Sequence, residues 1–177
     1  MSTLIQRMVG VSRFDQRIVE EVEADAGANG QALTVVLLAS LGAGVGWIGV
    51  GPGRLAPIVM LTSVATMGWV AWACLTYLIG TRWFPEPQTK TDVGELLRTL
   101  GFAGSPAVLF ALAMVPGARA IVTPVVALIT LAAMIVAVRQ ALDYTSVLRA
   151  VSVCLAAWVV VLAVLWVIGV FFSPVVS

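Results

Sequence analysis

Histidine is absent from the sequence. Because imidazole is the commonest metal ligand and the usual axial ligand of haem, its absence argues against a haem or zinc site made by this chain alone, and no cofactor or metal is expected. Cysteine is almost as scarce: Cys74 and Cys154 are the only two, each inside an apolar run and far apart in sequence. That placement offers neither a disulfide framework nor a Cys-x-x-Cys redox or zinc pattern, and both read as small core residues. Charge is thin as well. Charged residues make up 11% of the chain, ten basic against nine acidic, so there is no basic field to attract nucleic acid. The amino terminus lacks the short apolar core and small-residue cleavage site of a secretory signal, since Met1 to Gly30 are largely polar or amphipathic. The first apolar helix is therefore expected to act as an uncleaved signal anchor.

What the chain has in excess is apolar surface. Apolar residues make up 60% of the sequence and the mean hydropathy is +1.04, against roughly 45–50% apolar and about 25% charged in an ordinary soluble domain. No soluble fold of 177 residues could hide that much from water. A hydrocarbon core about 30 Å thick takes roughly 20 apolar helical residues to cross. Gln31 to Val50, Pro57 to Gly80, Ile121 to Ala141 and Val147 to Phe172 meet that length. A fifth run, Phe102 to Val115, is short, but a helix started near Asp92 or Val93 takes in Leu96, Leu97 and Leu100 and reaches spanning length, with Arg98 near the membrane surface. Pro57 and Pro124 are expected in first helical turns, and Pro116 and Pro174 at ends. Pro106 falls inside the third span, where it should kink the helix and free a carbonyl unless neighbours re-satisfy it. The fold class is thus all-α, a polytopic bundle of five transmembrane helices preceded by an amphipathic helix.

Orientation follows from the basic residues. With five spans, one side receives Arg7, Arg13, Arg17, Arg82, Lys90, Arg98, Arg139 and Arg149, and the other only Arg54 and Arg119. The positive-inside rule then puts the amino terminus in the cytoplasm and the tail Ser173 to Ser177 outside. Before span one, apolar residues at Leu4, Met8, Val11, Phe14, Ile18 and Val22 draw one stripe along a helix. The acidic stretch that ends this segment argues as much for docking onto protein as for lipid binding. Residues 1–30 form this cytoplasmic segment and residues 31–177 the membrane domain. Arg82 to Asp92, polar and holding Pro85 and Pro87, reads as an exposed cytoplasmic loop.

Few residues offer chemistry. Gly42 and Gly46 make a Gly-x-x-x-Gly that lets backbones approach in lipid, and Ala103, Ala107 and Ala111 in span three and Ala133, Ala137 and Ala141 in span four repeat small residues every four positions as further contact faces. The intramembrane Ser and Thr residues lack a neighbouring base, and no carboxylate falls within a confident span, which disfavours serine hydrolysis and a carboxylate proton relay. The remaining cluster is at the inner surface: Arg139, Gln140, Asp143, Tyr144 and Arg149 around the turn between spans four and five, opposite Arg98. It reads as an interfacial anchor or a head-group or partner site, with an expected Arg98–Asp143 pair and Arg139 as the competing partner. Trp47, Trp83 and Trp166 suit interfacial anchoring, while Trp69, Trp72 and Trp158 are expected inside the bundle.

Three stretches together carry a resemblance: Glu20-Glu21-Val22-Glu23-Ala24-Asp25 before span one, Gly101-Phe102-Ala103-Gly104-Ser105-Pro106 entering span three, and Ala137-Val138-Arg139-Gln140-Ala141-Leu142 closing span four. In order and topology the chain resembles the Yip-domain family of five-span membrane proteins, named for interaction with Ypt/Rab GTPases, and is most similar to its bacterial members. The resemblance implies a non-enzymatic protein of the bacterial inner membrane, a scaffold or interaction module in membrane organisation. Its partners would be the lipid bilayer and another membrane protein or a second copy of itself. An accessory subunit of a larger complex and a passive lipid or small-solute conduit are the alternatives.

Overall fold

A computed structural model describes residues 2–172, and the tail Ser173 to Ser177, with Pro174, lies outside the described residues. Within them the chain is helical with no strand: α1 Leu4–Ser12, α2 Gln16–Ala24, α3 Asn29–Ile48, α4 Leu55–Leu78, α5 Val93–Ala103, a 3-10 helix Ser105–Met114, α6 Arg119–Ala141 and α7 Val147–Phe172. Five helical stretches among the described residues are long and apolar enough to cross a membrane: Ala26–Ile48, Leu55–Trp83, Val93–Met114, Arg119–Ala141 and Val147–Val164. The connections 84–92 and 142–146 and the α1–α2 segment share one end of the bundle, called the polar end below.

Span three is the central element and is not one continuous α-helix. It starts where a capping box fixes it: the Asp92 carboxylate accepts from the Glu95 amide at 2.8 Å, and the Glu95 side chain accepts from the Asp92 amide. It changes at Pro106, which cannot donate to the Phe102 carbonyl four residues back. The Ser105 hydroxyl donates to that carbonyl instead, at 2.5 Å. After Gly104 the chain runs on as a ten-residue 3-10 helix. At a rise of about 2.0 Å per residue this piece covers about 20 Å, and α5 adds about 16 Å, so the short apolar run crosses the bilayer by winding more tightly. Leu96, Leu100, Phe102 and Ala103 are buried at its core.

The change of pitch alters which small residues meet. At three residues per turn a step of four advances by about 120°, so Ala103, Ala107 and Ala111 do not form the single ridge expected of an α-helix; Ala103 is fully buried and the other two half-buried. Ala133, Ala137 and Ala141, on the unbroken α6, are all buried. Gly42 and Gly46 lie against the 3-10 backbone: a Cβ at Gly42 would sit 2.6 Å from the Val108 carbonyl oxygen, and one at Gly46 would collide with that of Phe110.

Three further expectations need correction. The amphipathic stripe is carried by two helices, because Phe14 adopts φ 60° and reverses the chain; Val11, Val19 and Val22 face the bundle while Phe14 is 40% exposed. Pro124 stands in the second turn of α6, inside the helix. Trp158 is exposed on α7, whereas Trp72 is buried and Trp69 half-buried.

Candidate functional site

The polar end is built from three separate ties. In the first, Arg98 leaves span three toward the amino-terminal segment. Its Nη2 donates to the Glu23 carbonyl at 2.8 Å and its Nη1 to Asn29 Oδ1 at 3.4 Å. The expected Arg98–Asp143 pair does not form, and neither does the competing Arg139–Asp143 pair: the ion pairs among the described residues join Arg7 to Glu21 and Asp25, and Arg149 to Glu86. The reason is backbone geometry. Asp143 lies past the end of α6 at φ 53°, which turns its carboxylate off the helix face where a residue four after Arg139 would sit. Its Oδ2 instead accepts weakly from the Lys90 amide at 3.4 Å.

The second tie fastens the connection between spans two and three to the turn between spans four and five. Glu86 is buried, contrary to the reading of an exposed loop. It accepts from the Thr145 amide at 3.0 Å and hydroxyl at 2.9 Å, and pairs with Arg149 Nε at 3.5 Å. The Thr145 amide is the main cause that holds the Glu86 carboxyl below the usual range. Tyr144 reaches the other way, its hydroxyl 2.8 Å from the Phe84 carbonyl and 3.0 Å from that of Gly80, at the π-helical turn Ile79–Trp83 that ends span two. Burial pushes its phenol up to about 12. Arg139 donates to the Tyr144 carbonyl at 3.2 Å, and Gln88 Nε2 to that of Asp143 at 3.1 Å.

The third tie is the α1–α2 hairpin. Arg7, 1% exposed, bonds Glu21 at 2.9 Å, Asp25 at 2.8 Å and Gln31 Oε1 at 3.1 Å. Hydrogen bonds from Ser2 and then Arg7 hold Glu21 at about 2. Glu23, two residues further on and on the other face of α2, has the opposite shift. Partial burial, then the Glu95 and Asp143 carboxyls facing it, push it up to about 7, against the opposing pull of Gln140. A carboxyl raised in the folded state contributes fully below its unfolded value of 4.5 and loses that contribution as pH rises through about 7. Amide-exchange protection of α2 is therefore expected to fall between pH 5 and pH 8, and Glu23→Gln to flatten the fall. An unchanged slope in that variant would mean another group titrates.

Beside the second tie lies a cavity of about 210 Å³ whose lining includes Gln16, Ile135, Arg139, Gln140, Asp143, Tyr144 and Val147. Of the residues singled out from the sequence, Arg139, Gln140, Asp143 and Tyr144 line it, while Arg98 and Arg149 serve the first and second ties. Arg7, Glu86 and Thr145 were not expected at the site. Among the described residues no three His, Cys, Asp or Glu side chains converge to hold a metal ion. At the opposite end two arginines close α3: Arg119 Nη2 lies 3.0 Å from the Gly46 and Trp47 carbonyls and its guanidinium 5.3 Å from the Trp47 ring, and Arg54 donates to the Ile48 carbonyl. Cations there complement the negative end of the helix dipole.

The family model described as the Yip1 domain matches residues 11–168, from within α1 to within α7, and includes all three stretches that carried the resemblance. No curated protein and no solved structure matches the chain.

Proposed function

The chain belongs to the Yip1 domain family, and from that premise we propose that it is a non-catalytic membrane protein that acts as a scaffold or interaction module, its polar end in the cytoplasm. The observation that carries this reading is the use made of charge at that end. Arg7, Arg98, Glu86 and Arg149 all join one chain segment to another. These four buried or bridging charges fix separate segments together and make that end a rigid platform, the property a docking surface needs. Ile5, Val9 and Phe14 are exposed on the outside of the α1–α2 hairpin, beside the exposed Arg13 and Arg17. The most buried span is the third, which argues against a conduit along it.

Orientation is tested by labelling. Val115 is 52% exposed at one end and Pro87 is exposed at the other, and neither belongs to a tie. Val115→Cys is expected to react with a membrane-impermeant thiol reagent from outside, and Pro87→Cys only after the membrane is opened. The reverse pattern would invert the orientation. Cross-linking and co-purification from native membranes tests the function: partners should attach through α1–α2, and a partner set unaffected by removing Ile5, Val9 and Phe14 would overturn the platform reading.

A second reading, an accessory subunit, is favoured by α7. Beyond Val161 each of its described side chains, Leu162, Ala163, Val164, Trp166 and Val167, is exposed, so these side chains are left for lipid or another protein to cover. Cross-links concentrated there, in fixed stoichiometry with one larger complex, would select it.

A further inference from the structure

The cavity at the polar end holds two opposite charges that do not meet. Arg139 commits Nε and Nη2 to the Tyr144 and Thr145 carbonyls, and its Nη1 has no hydrogen-bond partner among the described residues. Asp143, turned away at φ 53°, engages only Oδ2, in the 3.4 Å contact with Lys90. Both line the same space of about 210 Å³, with Ile135 and Val147 as apolar walls and Gln16 of the hairpin beside them. A guanidinium and a carboxylate fixed apart across one cavity are complementary to a zwitterion.

The surface leading away from the cavity says which kind. Leu128, Leu131, Ile135 and Arg139 follow one another at spacings of three and four along a single face of α6. Leu128 and Leu131 are 67% and 41% exposed. From Arg139 to Leu128 this apolar track runs about 16 Å, the hydrocarbon depth of about one leaflet. The charged cavity therefore sits at the head of an exposed apolar helix face about as long as one acyl chain. We propose that it binds the headgroup of a zwitterionic phospholipid bearing a primary ammonium, of phosphoethanolamine type, with Arg139 on the phosphate and Asp143 on the ammonium.

Charge and hydrogen bonding select among headgroups. Asp143 has the Glu23 carboxyl near it, and this second carboxyl favours a cation at the Asp143 side of the cavity. A primary ammonium donates hydrogen bonds to a carboxylate, whereas a trimethylammonium has no N–H to donate. The proposal requires the bundle to lie in a bilayer but is independent of the scaffold reading: a lipid site could exist without any protein partner, and partners without a lipid site.

The test uses the full chain, purified in detergent with equimolar phosphatidylethanolamine, phosphatidylcholine and phosphatidylglycerol of matched chains, and reads retained lipid by native mass spectrometry. Phosphatidylethanolamine is expected to be retained over phosphatidylcholine by about fivefold, the scale of one partly exposed charge-assisted hydrogen bond. Asn keeps the left-handed backbone of residue 143, so Asp143→Asn should fold as the parent does and bring that ratio to within about twofold, while Arg139→Gln lowers retention of all the phospholipids. Stepwise N-methylation of the lipid should lower retention stepwise without changing the protein. Water-soluble glycerophosphoethanolamine at equal concentration is expected not to displace the lipid; displacement would mean the headgroup binds without its chains and would overturn the acyl track. Retention of the three lipids in the ratio offered, or a preference that survives Asp143→Asn, would overturn the proposal.

Discussion

Gly46→Leu is expected to be the most damaging single substitution in the membrane-spanning part of the chain. The helix backbone of α3 and the 3-10 backbone of span three pass so close that even a methyl group at Gly46 collides with the Phe110 carbonyl. That obstacle is backbone, not the end of a side chain that could rotate away. Overpacking a filled core costs about 1–3 kcal/mol when side chains can adjust, so a leucine here should cost about 3 kcal/mol or more. Gly42→Ala, aimed at the Val108 carbonyl from 2.6 Å, should follow at about 1–2 kcal/mol. Gly68→Ala is the matched control. It lies in the middle of α4 where an added Cβ meets nothing within 4 Å, and the better helix propensity of alanine should leave stability unchanged or raise it by up to about 1 kcal/mol. Thermal unfolding in detergent, followed by tryptophan fluorescence, ranks the three. Parent-like unfolding of Gly46→Leu would mean that span three can move away from α3.

This contact also shows what sequence could and could not reveal. The Gly-x-x-x-Gly at Gly42 and Gly46 announced a close approach, because in lipid small residues at that spacing have few other uses. The partner was not legible, since nothing local in Val108 or Phe110 marks them as the approached surface. The five spans were legible for a simple reason: burial in hydrocarbon demands length and apolarity, both of which are properties of a segment on its own. Helix type was harder. Pro106 pointed to a break, but continuing as ten residues of 3-10 helix depends on the packing of α3 and α6 on either side. At the polar end the sequence marks Arg98 as a charge needing a partner, but its nearest partner is the Glu23 backbone carbonyl, and any of the chain's carbonyls could have served. Glu86 lay between two prolines in a stretch of loop composition, and only its 59-residue reach to Thr145 makes it structural. Phe14 reversed the chain without a glycine to signal it.

Arg7→Gln is expected to release the α1–α2 hairpin while leaving the five spans folded. In the parent the guanidinium is 1% exposed and uses Nε, Nη1 and Nη2 on Ser2, Glu21, Asp25 and Gln31 at 2.8–3.3 Å. Taking the cation away leaves Glu21 and Asp25 close together with no counter-charge, and removing one member of a buried pair is more harmful than never having had it. Hairpin amides at Val19 and Val22 should lose protection by roughly tenfold or more, with the exchange of α3 to α6 unchanged, because local units open independently of the rest. Acid supplies an independent check with a definite sign. Glu21 is held at about 2 and Asp25 below its usual value, in each case through hydrogen bonds that include Arg7. Their contribution is therefore complete above the ordinary carboxylate range and disappears as pH falls through it toward about 2. The parent hairpin should open progressively below about pH 4.5, and the Arg7→Gln hairpin, already open, should show no such transition. Arg7→Lys distinguishes charge from geometry: a single ammonium satisfies the carboxylates but cannot span all four partners, so its protection should fall between the other two. If the hairpin of Arg7→Gln kept its protection at neutral pH, the apolar contacts of Val11, Val19 and Val22 would suffice to dock it and the buried arginine would be incidental.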